Sequence, residues 1–132
     1  VNAAKAMGAS KVIAIDWENH YRMDLAKSLG ADMVLGKEDD IVKEILAATD
    51  GRGVDNTCEF SGSPAALANA IHSTRMGGYL NILSVYSNSI TPVPMNEIVF
   101  RYGEPLIYRI TTVLIPPKEG FLLLIFWLAS GP

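Results

Sequence analysis

From Lys11 to Val85, apolar runs of strand length alternate with segments whose apolar residues recur at helical spacing, and this alternation constrains the fold more than any other feature. Lys11–Asp16 is a short apolar run ending in an acid, the pattern of a buried parallel strand. Tyr21–Leu29 carries Met23, Leu25, Ala26 and Leu29 at helical spacing, with Gly30 as its stop. Asp32–Leu35 reads as a second strand, Asp40–Ala48 as a helix with Ile41, Ile45 and Leu46 on one face, and Val54–Phe60 as a third strand. Ser63 and Pro64 then supply a helix cap and a first-turn proline, predicting a helix to about Met76. Tyr79–Val85 is the next strand.

The ends of the chain read less regularly. Val1–Met7 is the tail of a helix stopped by Gly8. Leu106–Leu114, rich in Ile, Thr and Val, reads as a last strand broken by Pro116 and Pro117. Gly120–Ser130 reads as an apolar helix, on account of its length. Strands alternating with helices over short connections predict an α/β fold, a doubly wound parallel sheet covered on both faces. Such a sheet binds ligands beyond the carboxyl ends of its strands, so function is to be sought at Asp16, Phe60–Gly62 and Leu83–Val85, and after Tyr108.

Composition removes several alternatives. The 132 residues suffice for one domain, with 49% hydrophobic and 19% charged residues and a net charge of −3. There is no Lys/Arg run, which argues against a nucleic-acid partner. The longest apolar run, Phe121–Ala129, is nine residues, short of the about 20 that a membrane span needs, and no membrane partner is expected. The one cysteine, Cys58, excludes an internal disulfide and suits a reducing cytoplasm. His20, His72 and Cys58 have no metal-ligand spacing, so no metal site is expected in this chain. There is no G-x-S-x-G elbow and no tyrosine with a lysine four residues on, so no catalytic residue is assigned.

Position gives each remaining candidate two readings. Asp16 at a strand end could accept hydrogen bonds from ribose hydroxyls and repel a 2′-phosphate, or it is a solvated acid that starts a turn. Arg22 could stack on adenine or reach a phosphate, or it is an exposed helix arginine. Phe60, Ser61 and Gly62 could admit a ligand closely, or form only a tight turn. Leu83, Ser84 and Val85 could flank a flat ring, or simply end a core strand.

Six stretches in order tip the balance: AKAMGASKVIAID, NHYRMDLAKSLGAD, DGRGVD, CEFSGSPAALANAI, MGGYLNILSVYS and PMNEIVF. Together they resemble the nucleotide-binding domain of medium-chain, zinc-dependent alcohol dehydrogenases, most closely the threonine 3-dehydrogenase and sorbitol dehydrogenase branch. The resemblance covers Val1 to about Phe100 and implies a Rossmann-like sheet. It implies that Asp16 is the ribose acid, that Arg22 is the adenosine-side arginine, that Phe60–Gly62 lies against the adenosine, and that Leu83–Val85 lies near the nicotinamide of NAD. The Asp16-to-Arg22 spacing is one residue longer than is usual in that family, and Ser84 stands where glycine is common.

The resemblance further implies that the glycine loop and first strand would lie before Val1, and that the zinc ligands belong to an upstream catalytic domain. The 132 residues are then a partial NAD-binding domain, inactive alone, with an open gap in its sheet and weak stability. The whole protein would oxidise a small secondary alcohol, such as threonine or a polyol, as a cytoplasmic homo-oligomer carrying zinc. The alternative from another class is a non-catalytic, regulatory nucleotide-binding domain. Beyond Phe100 the likeness fades: RYGEP looks inserted, and an apolar Phe121–Leu128 helix fits either a buried interface or an altered tail.

Overall fold

The computed structural model describes residues 1–86, 91–102 and 121–126. In chain order the elements are α1 (Asn2–Ala6), β1 (Ala9–Ile15), α2 (His20–Ser28), β2 (Met33–Leu35), α3 (Ile41–Ala47), β3 (Val54–Glu59), α4 (Pro64–Ser73), β4 (Thr74–Ile82), α5 (Met95–Tyr102) and β5 (Phe121–Phe126). All strand pairs are parallel, in the order β2-β1-β5-β3-β4. The α/β class and the Rossmann-like winding are as the sequence predicts. The strand Leu106–Leu114 lies outside the described residues.

Alternation of side chains along the strands builds two cores, one on each face. Ile13 and Ile15 of β1 pack with Ile41 and Ile45 of α3, Leu67 and Ile71 of α4, and Ile98 of α5. On the opposite face Val12 and Cys58 pack with Ala4 of α1. Local signals fix the helix starts. Asn19 accepts a hydrogen bond from the Arg22 N–H at the head of α2, and Asp40 accepts one from the Lys43 N–H at the head of α3. Ser63 stands at the cap of α4 with Pro64 behind it, but its hydroxyl makes no cap bond; its own N–H donates to the Ser61 hydroxyl instead.

Two expectations change. The predicted helix over Gly120–Ser130 is a strand over Phe121–Phe126. That strand lies between β1 and β3, with Leu124 opposite both Ile13 and Thr57. The gap expected at the middle of the sheet is therefore filled. A strand with a neighbour on each side reads as an unbroken apolar run, which periodicity does not separate from a buried helix. The second change is at β4, which begins at Thr74, five residues before the expected start at Tyr79 and ahead of the double glycine at 77–78. Its register shifts between the Val54–Thr74 and Asn56–Tyr79 pairs, so the glycines sit in a bulge and regular pairing resumes at Tyr79.

Candidate functional site

Parallel pairing carries every strand's carboxyl end to one edge of the sheet. Asp16 follows β1, Phe60–Gly62 follow β3, and Leu83–Val85 follow β4. The chain winds outward in opposite directions on the two sides of β5, from β1 to β2 and from β3 to β4. Ligands of doubly wound sheets lie in the crevice at such a reversal.

Asp16 is buried, and Arg22 is paired with it. The guanidinium Nε donates to Oδ2 at 2.5 Å and Nη2 donates to Oδ1 at 3.1 Å, while the Asn19 N–H also donates to Oδ1 at 3.2 Å. The bond to Asp16 holds the Arg22 pKa above its ordinary value. The longer spacing between these residues thus still brings them together, because the turn 17–19 folds back and Asn19 starts α2. A carboxylate has about four acceptor sites. Three are used here, so Oδ2 can accept one further donor. Beside this pair a cavity of about 80 Å³ is lined mainly by apolar residues of β1, α2 and β2, among them Ala14, Met23, Leu25 and Val34.

The other two segments touch. Gly62 has φ of +69°, and a Cβ placed on it would lie 2.4 Å from the Val85 carbonyl oxygen. Glycine at this position permits the approach of the two strand ends. It meets protein backbone, which is the tight-turn reading of that residue. Around the contact, Phe60, Leu83 and Val85 expose 38%, 43% and 91% of their surfaces. Large apolar groups grouped at a strand-end edge form a surface suited to a flat or apolar ligand part. The Asp16–Arg22 pair is separated from β3 by β5, two strand spacings or about 10 Å.

The site contains a residue that the sequence reading passed over. Glu59, the last residue of β3, has no exposed surface and accepts hydrogen bonds from Ser61, Gly62, Ser84 and Tyr86. Burial raises its pKa, but the bonds from Ser61, Ser84 and Tyr86 outweigh that and hold it below the ordinary carboxylate value. Its one sequence signal was an acid inside an otherwise buried strand. Among the described residues no three of His, Cys, Asp and Glu are grouped to hold a metal ion, so these residues do not fit zinc. Among the described residues no helix is long and apolar enough to cross a membrane.

A family model for zinc-binding dehydrogenases matches residues 1–110. This chain belongs to the zinc-binding, medium-chain alcohol dehydrogenase family. Among its relatives in that family, the L-threonine 3-dehydrogenase of Bacillus subtilis is 43% identical over 102 residues, covering 76% of this chain and 29% of the relative. An alcohol dehydrogenase of Cupriavidus necator is 36% identical over 130 residues, covering 97% of this chain and 34% of the relative. The crystal structure of 2R,3R-butanediol dehydrogenase from Bacillus subtilis superposes with a TM-score of 0.68 at 29% identity, covering 96% of this chain and 30% of that one. The chain thus spans about a third of the length of the dehydrogenases it resembles. It is similar to a cofactor-carrying portion of oxidoreductases in a family that uses a nucleotide cofactor and zinc.

Proposed function

We propose that this chain is the NAD-binding portion of a zinc-dependent dehydrogenase that oxidises a small secondary alcohol, threonine or a polyol being the favoured class. The observation that carries the reading is the pairing, on one carboxyl edge, of a buried strand-end acid with an exposed apolar cluster two strands away. Asp16 accepts a ribose hydroxyl at the free site on Oδ2, and its negative charge disfavours a 2′-phosphate. Arg22 orients that carboxylate through its two bonds and covers the adenosine side. Phe60, Ser61 and Gly62 form the surface against the adenosine. Leu83, Ser84 and Val85 form the surface near the nicotinamide, where apolar side chains exclude water from a planar ring. NAD supplies the hydride acceptor, and zinc is held by residues outside this chain.

The supporting arguments are the strand-end geometry and the family membership. In this reading the 132 residues are a partial cofactor domain without catalytic activity of their own, and the whole protein is a cytoplasmic homo-oligomer with no nucleic-acid or membrane partner. Isothermal titration of the intact gene product with NAD and NADP tests it. The reading predicts NAD binding with at least about tenfold preference, roughly 1.4 kcal/mol. A preference for NADP refutes the role of Asp16, and binding of neither dinucleotide refutes the function.

A further inference from the structure

Glu59 combines full burial with a carboxylate whose hydrogen-bond partners among the described residues, Ser61, Gly62, Ser84 and Tyr86, include no cation. Its Oε1 accepts from the Ser61 N–H at 2.6 Å, from the Ser61 hydroxyl, and from the Gly62 N–H at 3.2 Å. Its Oε2 accepts from the same Gly62 N–H at 3.3 Å, from the Ser84 hydroxyl, and from the Tyr86 hydroxyl at 2.7 Å. Five donors thus replace the water lost on burial, which is what a buried carboxylate needs in order to remain ionised.

The donors come from two segments. Ser61 and Gly62 belong to the turn after β3; Ser84 and Tyr86 belong to the strand end after β4. The backbone adds a further tie, with the Leu83 N–H donating to the Glu59 carbonyl at 2.8 Å. A hydroxyl has one proton. The Ser84 proton is committed to Glu59, so Ser84 can present only acceptor capacity to a ligand while that bond is made. Charge-assisted bonds of this kind are roughly twice as strong as neutral ones, so the ionised form is the one that binds the segments firmly.

We propose that Glu59 is a positioning residue: its ionised carboxylate locks the Phe60–Gly62 turn to the Leu83–Val85 strand end and so fixes the spacing between the surfaces for the two ends of the dinucleotide. This rests on the reading of the chain as the NAD-binding portion. It assigns no contact between Glu59 and the cofactor. It predicts that losing the charge harms a ligand that must touch both segments more than one that touches a single segment.

The test uses the intact gene product, with hydrogen exchange of the backbone amides and titrations of NAD and AMP. Glu59→Gln is expected to speed exchange at Ser61 and Gly62 about tenfold, and to weaken NAD about tenfold while AMP changes less than about twofold. Tyr86→Phe removes a bond from the second segment and leaves the carboxylate and its bonds to Ser61 and Gly62 in place. It should leave exchange at those two amides unchanged and still weaken NAD about threefold relative to AMP. Equal losses for NAD and AMP in Glu59→Gln would show a merely structural role and overturn the proposal, as would unchanged exchange at both amides. If Glu59→Gln does not fold, Tyr86→Phe decides: an unchanged NAD-to-AMP ratio overturns the proposal. If exchange responds to Glu59→Gln but the unsubstituted protein binds neither ligand, the NAD reading itself falls, and this proposal with it.

Discussion

Replacing Gly62 with alanine puts the closeness of the two strand ends to a quantitative test. The residue has φ of +69°, in the left-handed region, where a Cβ costs about 1–2 kcal/mol. The new Cβ would also lie 2.4 Å from the Val85 oxygen and 3.2 Å from the Val85 carbonyl carbon, both backbone atoms that do not swing aside. Relief requires the β4 end to move, an overpacking cost of about 1–3 kcal/mol. Gly62→Ala should therefore destabilise by about 2–5 kcal/mol. Gly30→Ala is the internal control, since Gly30 has φ of +89° and nothing within 4 Å of its would-be Cβ. It should cost only the conformational part, about 1–2 kcal/mol. Urea unfolding followed by circular dichroism at neutral pH, with equal m-values in both variants, gives the difference directly. A Gly62→Ala variant no less stable than Gly30→Ala would refute the close packing of the two segments.

Three further outcomes follow from the same structure. Burial pushes the Cys58 thiol up to about 11, only partly offset by a bond from Asn81, so Ellman's reagent at pH 8 should label native protein about 100-fold more slowly than unfolded protein; equal rates would place Cys58 outside the core. Glu59 and Asp32 have depressed pKa values, Glu59 because its donors outweigh its burial and Asp32 chiefly through its bond from Lys5. Their stabilisation is therefore present above the unfolded values of about 4 and lost as pH falls through the lower folded ones; the urea midpoint should drop steeply below pH 4, and a flat midpoint down to pH 3 would contradict this. Leu124→Pro removes an N–H from a strand paired on both sides, and should abolish cooperative thermal unfolding; an unchanged melt would show that β5 does not occupy the sheet centre.

The sequence made some elements plain for local reasons. β1, α2, α3 and β3 carry their own periodicity and stops, and Asn19 and Asp40 mark helix starts by the bonds that they make. Phe121–Phe126 carries no such local information, because a uniformly apolar hexapeptide takes its state from whatever it packs between. Site residues divided similarly. Asp16 was legible as an acid closing an apolar strand. Its pairing with Arg22 depended on the turn 17–19, which is held both by the local bond from the Asn19 N–H to Asp16 and by Lys37, whose N–H donates to the Trp17 carbonyl and whose ammonium pairs with Glu18. Glu59 escaped notice because its five donors lie on two segments more than twenty residues apart, and only the sheet brings them together.

The central claim is that a dinucleotide lies along the carboxyl edge of this sheet. Nitrogen–proton correlation spectra of the protein titrated with NAD test it most directly. The account predicts that the amides of Asp16, Arg22, Ser61, Gly62, Ser84 and Val85 shift together with one dissociation constant. It predicts no change at Arg52, His72 and Arg75, which line a groove elsewhere on the chain with Glu97. Shifts confined to that groove, or no shifts at saturating NAD, would contradict the account.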